Sequence, residues 1–175
     1  MDLRLDDFID DTPWQESTPA LQPIIIPDQI EGVELRRLVT HGDGRGDLTV
    51  LLSRHYVPEA TAPHVYLVNA TAGSLRAWVY HRRQSDRLAF LHGTFRVVLY
   101  DLRPESPTKG GLNVLDVGAD NPVQVTIPPF VAHAVQNRGS ESAFFVNMPT
   151  NHYDPANPDK ARIRKDHPGI PYSFD

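Results

Sequence analysis

The sequence predicts an all-β fold, a sandwich or barrel of about ten short strands. Three observations predict it. Apolar residues alternate with polar ones, as where Phe95, Val97 and Leu99 interleave with Arg96 and Tyr100. The apolar runs are short and punctuated by Gly and Pro. The 16 prolines among 175 residues are scattered so widely that long helices have little room.

Taken in order, strands are predicted over 34–40, 48–52, 65–69, 74–80, 87–91, 94–102, 123–127, 133–136 and 143–148. A glycine-rich turn, His41-Gly42-Asp43-Gly44-Arg45-Gly46, joins the first two. The 94–102 strand is expected to have one wetter face. Residues 1–22 form an acidic arm broken by Pro13 and Pro19, with Asp6, Asp7, Asp10 and Asp11 clustered in it. It is read as solvated, or as lying on a partner subunit through Leu3, Leu5 and Phe8. Residues 23–153 form the domain, and 154–175 a Pro-rich tail that packs on it. The tail has room for one helical turn over 159–165 and is otherwise extended.

At 19.6 kDa the chain is one domain with a real core. A net charge of -5 gives no basic excess for nucleic acid or an anionic membrane. An anionic ligand therefore needs a local cluster of cations. The absence of cysteine excludes disulfides and thiolate metal sites and suits a cytoplasmic protein. Neither a signal peptide nor a bilayer-length apolar run is visible. The sequence also lacks a Gly-x-Ser-x-Gly elbow and a phosphate-cradling P-loop.

Two spaced patterns resemble the cupin signatures. One is Gly73, Val79-Tyr80-His81, Asp86 and Gly93; the other is Pro128, Phe130, His133 and Asn137. The resemblance implies a cupin-type jelly roll, a double-stranded β-helix. Paired strands that aim alternate side chains inward would bring Val79, His81 and His133 to one hollow. Metal cupins usually carry His at the Val79 place, Glu at the Asp86 place and Gly at the Phe130 place.

Further segments resemble the dTDP-4-dehydrorhamnose 3,5-epimerase family. They are Gly42-Asp43-Gly44-Arg45-Gly46, Gly73-Ser74-Leu75-Arg76-Ala77-Trp78, Asp101-Leu102-Arg103-Pro104-Glu105-Ser106-Pro107-Thr108, and Ile127-Pro128-Pro129 ahead of Ala132-His133. The resemblance covers residues 33–172. It implies a homodimer that binds a nucleoside diphosphate 4-keto-6-deoxy sugar, dTDP-linked, without a cofactor, in deoxysugar or surface-polysaccharide biosynthesis. The ketone acidifies the protons at C3 and C5. A base removes one, an enolate forms, and an acid returns a proton to the other face.

Carried over by position, Arg76 contacts the diphosphate and Arg45 reaches the nucleotide across the dimer. His64 lies near a position that relatives use toward the nucleotide. Trp78 is a wall aromatic or a stacking surface for base or sugar. Other positions depart from the family. Val79 stands where the resemblance places the catalytic His, Asn147 where it places the acidic Tyr, and Asp86 where many relatives place a Lys. The tail segment that orients the family's His is expected to be missing. His81, His133 and Tyr153 are the expected substitutes for proton transfer. The alternatives are a nucleotide-sugar binder without catalysis, or a metal-dependent cupin using His81, Asp86 and His133.

Overall fold

The computed structural model describes residues 4–10 and 21–175. Leu3, Asp11, Pro13 and Pro19 of the acidic arm lie outside them. In the rest of the arm, Leu5–Asp7 forms one 3-10 turn, and Leu5 and Phe8 are exposed.

The strands are β1 (Leu21–Ile24), β2 (Glu34–Leu38), β3 (Thr40–Asp43), β4 (Gly46–Thr49), β5 (Tyr66–Ala70), β6 (Leu75–His81), β7 (Asp86–Phe90), β8 (Thr94–Asp101), β9 (Leu112–Gly118), β10 (Val123–Ile127), β11 (Val131–Asn137), β12 (Ala143–Asn147) and β13 (Lys160–Arg162). They make two antiparallel sheets, ordered β1-β2-β10-β7-β12-β5 and β13-β6-β11-β8-β9. A separate hairpin, β3–β4, carries the glycine-rich turn. The expected all-β jelly roll is the observed architecture.

Alternation in β8 builds the core. Phe95, Val97 and Leu99 face the opposite sheet, where Phe90, Val125 and Phe145 meet them. The expectation of a wetter second face holds only in part. Arg96 is there, paired with Asp116, but Val98 is fully buried beside Trp78, Ala132 and Ala134. The tail covers that face with Ile170, Tyr172 and Phe174.

The expected helical turn over 159–165 is instead strand β13. The edge of β6 offers unpaired backbone groups, and Lys160, Ala161 and Arg162 pair with His81, Tyr80 and Val79. Strand β9 was not anticipated either. Among the described residues it is an edge strand paired with β8 alone, with polar Asn113 and Asp116 in its run.

Two signature positions have backbone reasons. Gly93 has φ 76°, and a Cβ there would lie 2.2 Å from that of Ala143. Phe130 has φ 61°, which explains why glycine is typical at its place. Its N–H donates to the His81 carbonyl at 2.8 Å and its ring stacks on Tyr80.

The segment from Asp101 to Thr108 is organised by one buried carboxylate. Asp101 accepts from Arg103 Nε and Nη2 (2.8 Å each), Ser106 Oγ (2.6 Å) and Thr108 Oγ1 (2.8 Å). Burial alone would raise its pKa, but these donors hold it far below the usual range. Arg103 and Thr108 also tie the loop to Glu31, ahead of β2. Asp101→Ala is therefore expected to destabilise the fold by about 3–5 kcal/mol, measured by urea unfolding. A loss below about 1 kcal/mol would contradict this account.

Candidate active site

Five strands aim polar groups into one hollow. His81 ends β6, Asp86 begins β7, His133 lies on β11, Asn147 ends β12 and Tyr66 begins β5. His81 Nε2 is 3.2 Å from Asp86 Oδ2, and His133 Nε2 is 3.5 Å from the same oxygen. The two imidazoles are nearly parallel, with centroids 5.9 Å apart. Asn147 Nδ2 donates to the Tyr66 hydroxyl at 2.8 Å, while Asn147 Oδ1 is buried without a hydrogen-bond partner.

The charges of this cluster are unequal. Burial disfavours a charged His81, but the hydrogen bond and charge of Asp86 and the Asp159 carbonyl outweigh it, so its pKa lies above the ordinary value. Burial likewise opposes ionisation of Asp86, but His81, the charge of His133 and Asn147 bring its pKa down to about 2. His133 goes the other way. Burial and the neighbouring His81 hold it below its ordinary value. Burial and the charge of Asp86 push the Tyr66 phenol up. These shifts favour the charged form of His81 and Asp86 and the neutral form of His133 and Tyr66, so the cluster offers both a proton acceptor and proton donors.

The hollow has a volume of about 440 Å³. Val79, directly opposite His133, forms part of its apolar wall. Arg76 lines it too, for a local reason. Between the pairs His133–Val79 and Val135–Arg76, β6 uses one residue more than β11. This bulge reverses the alternation, so Arg76 and Val79, three apart, share a face. Lys160 and Arg162 reach the same hollow from β13. Among the described residues, neither these two nor Arg76 has an ion pair, whereas Arg83, Arg96, Arg103 and Arg138 each face a carboxylate. These are the local cations an anionic ligand requires in an acidic protein.

A second chamber of about 470 Å³ adjoins the first and shares Tyr66, His81 and Lys160 with it. His64 and Tyr153 line this outer chamber, with rings stacked 6.4 Å apart.

The structure thus brings His81, His133 and Arg76 together. Tyr153 does not line the chamber that holds His133; it is half-exposed at the outer one. Trp78 is removed from the set altogether. It points to the opposite face of its sheet, buried against Phe174, with Nε1 donating to the Lys165 carbonyl. It alternates with Val79 and His81 and so faces the other side of β6, and the bulge is why Arg76, two residues earlier, does not go with it. Arg45 sits at the tip of the β3–β4 hairpin, where it is paired with Asp43. The tail lies beside β6 as β13, preceded by Asp159.

Sequence reasoning missed Tyr66, Lys160 and Arg162. For Tyr66 a signal existed, since it begins a strand two residues after the already suspect His64. For the cations the only signal was Lys-Ala-Arg at period two, in a segment whose expected form was a helical turn.

A sequence profile described as dTDP-4-dehydrorhamnose 3,5-epimerase matches residues 27–174. The chain is 34% identical over 151 residues to the spore coat polysaccharide biosynthesis protein SpsL of Bacillus subtilis, covering 83% of this chain and 96% of that one. It is 33% identical over 139 residues to the probable low-salt glycan biosynthesis epimerase Agl13 of Haloferax volcanii, covering 78% and 89%. The crystal structure of a dTDP sugar isomerase from Desulfovibrio desulfuricans G20 superposes with a TM-score of 0.78 at 26% identity, covering 86% of this chain and 94% of the other.

Proposed function

Because the chain belongs to the dTDP-4-dehydrorhamnose 3,5-epimerase family, we propose that it binds a dTDP-linked 4-keto-6-deoxy sugar and moves protons at C3, C5 or both. The observation that carries this reading is the His81–Asp86–His133 cluster, with its split charges, in the same hollow as three unpaired cations.

In this reading His133, neutral and in the wall, is the base that takes the proton next to the ketone. The His81 imidazolium stabilises the enolate oxygen, and Asp86 keeps that ring charged. The Tyr66 phenol returns a proton to the other face. The free Asn147 Oδ1 accepts a hydroxyl of the sugar. Arg76, Lys160 and Arg162 hold the diphosphate, for which a guanidinium fork is well shaped. His64 and Tyr153 meet the nucleoside from the outer chamber. Val79 fills the place of the usual base, so its work passes to residues on neighbouring strands. A homodimer would bring Arg45 to the partner's nucleotide. Among the described residues no helix is long and apolar enough to cross a membrane, and a cytoplasmic location accords with a nucleotide-sugar substrate.

The experiment is incubation with a dTDP-4-keto-6-deoxyhexose in deuterated water, following C3 and C5 by NMR. Deuterium at either carbon supports the proposal. Retained protons at both, with dTDP still bound, would leave a binding protein. His81, Asp86 and His133 also have the donor types of a two-histidine, one-carboxylate metal site. Undiminished exchange by metal-free protein would set that use aside.

Two further outcomes are expected. The exchange rate should rise with pH through a value below 6.5, as His133 loses its proton, and fall through a value above 6.5, as His81 loses its own. Val79→His, which adds a second base beside His133, should speed exchange by about 10-fold or more. No gain would mean that the pocket is not otherwise competent.

A further inference from the structure

Asp159, the residue just before β13, meets the barrel with both its carboxylate and its carbonyl. Its Oδ1 accepts from the Arg82 N–H at 3.2 Å, and its Oδ2 from the N–H groups of Arg83 at 3.0 Å and Gln84 at 2.9 Å. These three amides belong to the turn that joins β6 to β7. The Asp159 carbonyl accepts from Nδ1 of His81 at 2.5 Å. The same turn is gripped from its other end. The Ser85 N–H donates to Thr150 Oγ1, and the Thr150 N–H to the Ser85 carbonyl, both at 3.0 Å. Gln84 then donates from Nε2 to Asp86 Oδ1 at 2.8 Å.

We propose that Asp159 is a positioning residue that docks the tail on this turn and thereby holds His81 between two acceptors, with Nε2 aimed at Asp86. An imidazole with an acceptor at each nitrogen satisfies both only when doubly protonated. With one acceptor withdrawn, a single proton on Nε2 is enough, and the ring can be neutral. The groups around His81 are Asp86 on β7, His133 on β11, Tyr66 on β5, Arg83 in the turn, and Asp159 and Lys160 in the tail. Among the described residues only the Asp159 carbonyl bonds Nδ1. Any residue has a carbonyl, but a short carboxylate is what collects three consecutive amides and fixes where that carbonyl lies. The tail thus supplies the second acceptor of a ring whose first is Asp86.

The inference rests on the proposed role of His81, yet its first readout needs no substrate. Full-length protein labelled in histidine would be examined at neutral pH by long-range proton–nitrogen correlation. His81 should show two protonated nitrogens in the unaltered protein and a neutral ring, protonated at Nε2, in Asp159→Ala. Asp159→Asn keeps an oxygen that accepts from the turn and should retain most of the imidazolium signal. Where exchange is measurable, Asp159→Ala should lower kcat by about tenfold, with KM within about twofold.

An imidazolium unchanged in Asp159→Ala would overturn the proposal, as would a drop in KM-determined binding with kcat intact. Should that variant not fold, Asp159→Asn decides alone. A partial move of the His81 signals supports the proposal, and signals identical to the unaltered protein overturn it. A protein with no exchange activity but with these spectral changes would defeat the proposed function and leave the role of Asp159 standing.

Discussion

His133→Gln is expected to lower deuterium incorporation next to the ketone by about 10²–10⁴-fold. Its affinity for dTDP should stay within about threefold of the unaltered protein. The loss is large because a base positioned in the wall supplies an effect of that size, and glutamine cannot take a proton at neutral pH. The binding should survive because His133 lies deep on β11, between Val131 and Val135, while the cations sit on β6 and β13. Glutamine is polar and of similar reach, so the wall keeps its shape. A fall smaller than about tenfold would remove His133 as the base and turn attention to His81. A parallel collapse of dTDP binding would instead mark His133 as a structural residue of the pocket.

Asp86→Asn should be nearly as damaging, by a different route. Among the described residues its carboxylate is the only acceptor shared by the two imidazoles, and it raises the pKa of His81. The amide still accepts from Gln84, so the turn holds, but the stabilising charge is gone. The pKa of His81 should fall, and exchange at neutral pH should drop by about 10²-fold. The alkaline limb of the rate profile would move down with it.

The same substitution has a signature in stability. The pKa of Asp86 is depressed in the folded protein, from 3.8 to about 2. Its contribution is therefore present above pH 3.8 and lost as pH falls through about 2. On the scale of one pKa unit per 1.4 kcal/mol this is about 2 kcal/mol. Urea unfolding should show the variant less stable by about that amount near neutral pH, with the gap closing in acid. A gap that does not change with pH would contradict the ionised, paired state of Asp86.

Strand-level organisation was legible because it is local. Period-two alternation in β8 and the Gly and Pro breaks around it need no tertiary information. The family was legible for a related reason. Segments such as Asp101 to Thr108 form self-contained hydrogen-bonded units, so their residues are constrained together in sequence. The candidate site was legible only in part. His81 and His133 stand at signature spacings, whereas Tyr66, Lys160 and Arg162 lack any motif of their own. Tyr153 stands out in sequence through its His-Tyr-Asp-Pro run, but sequence does not report on which side of a wall a ring lies. Arg76 and Trp78, two apart, look as if they share a face; the bulge in β6 separates them, because one extra residue exchanges the inward and outward sides of the positions before it.

The amino-acid sequence alone determined the all-β architecture, the family, and a pair of histidines with an arginine at the heart of one pocket. These follow from short-range periodicity and from spacings within single strands. Tertiary structure decided the rest. It turned the tail into a strand beside β6, placed Asp86 between two imidazoles and shifted their pKa values in opposite directions, and set three cations around the hollow. Each of those depends on contacts between residues tens of positions apart. Burial and distance set the charge of a buried group, and neither exists until the chain has folded.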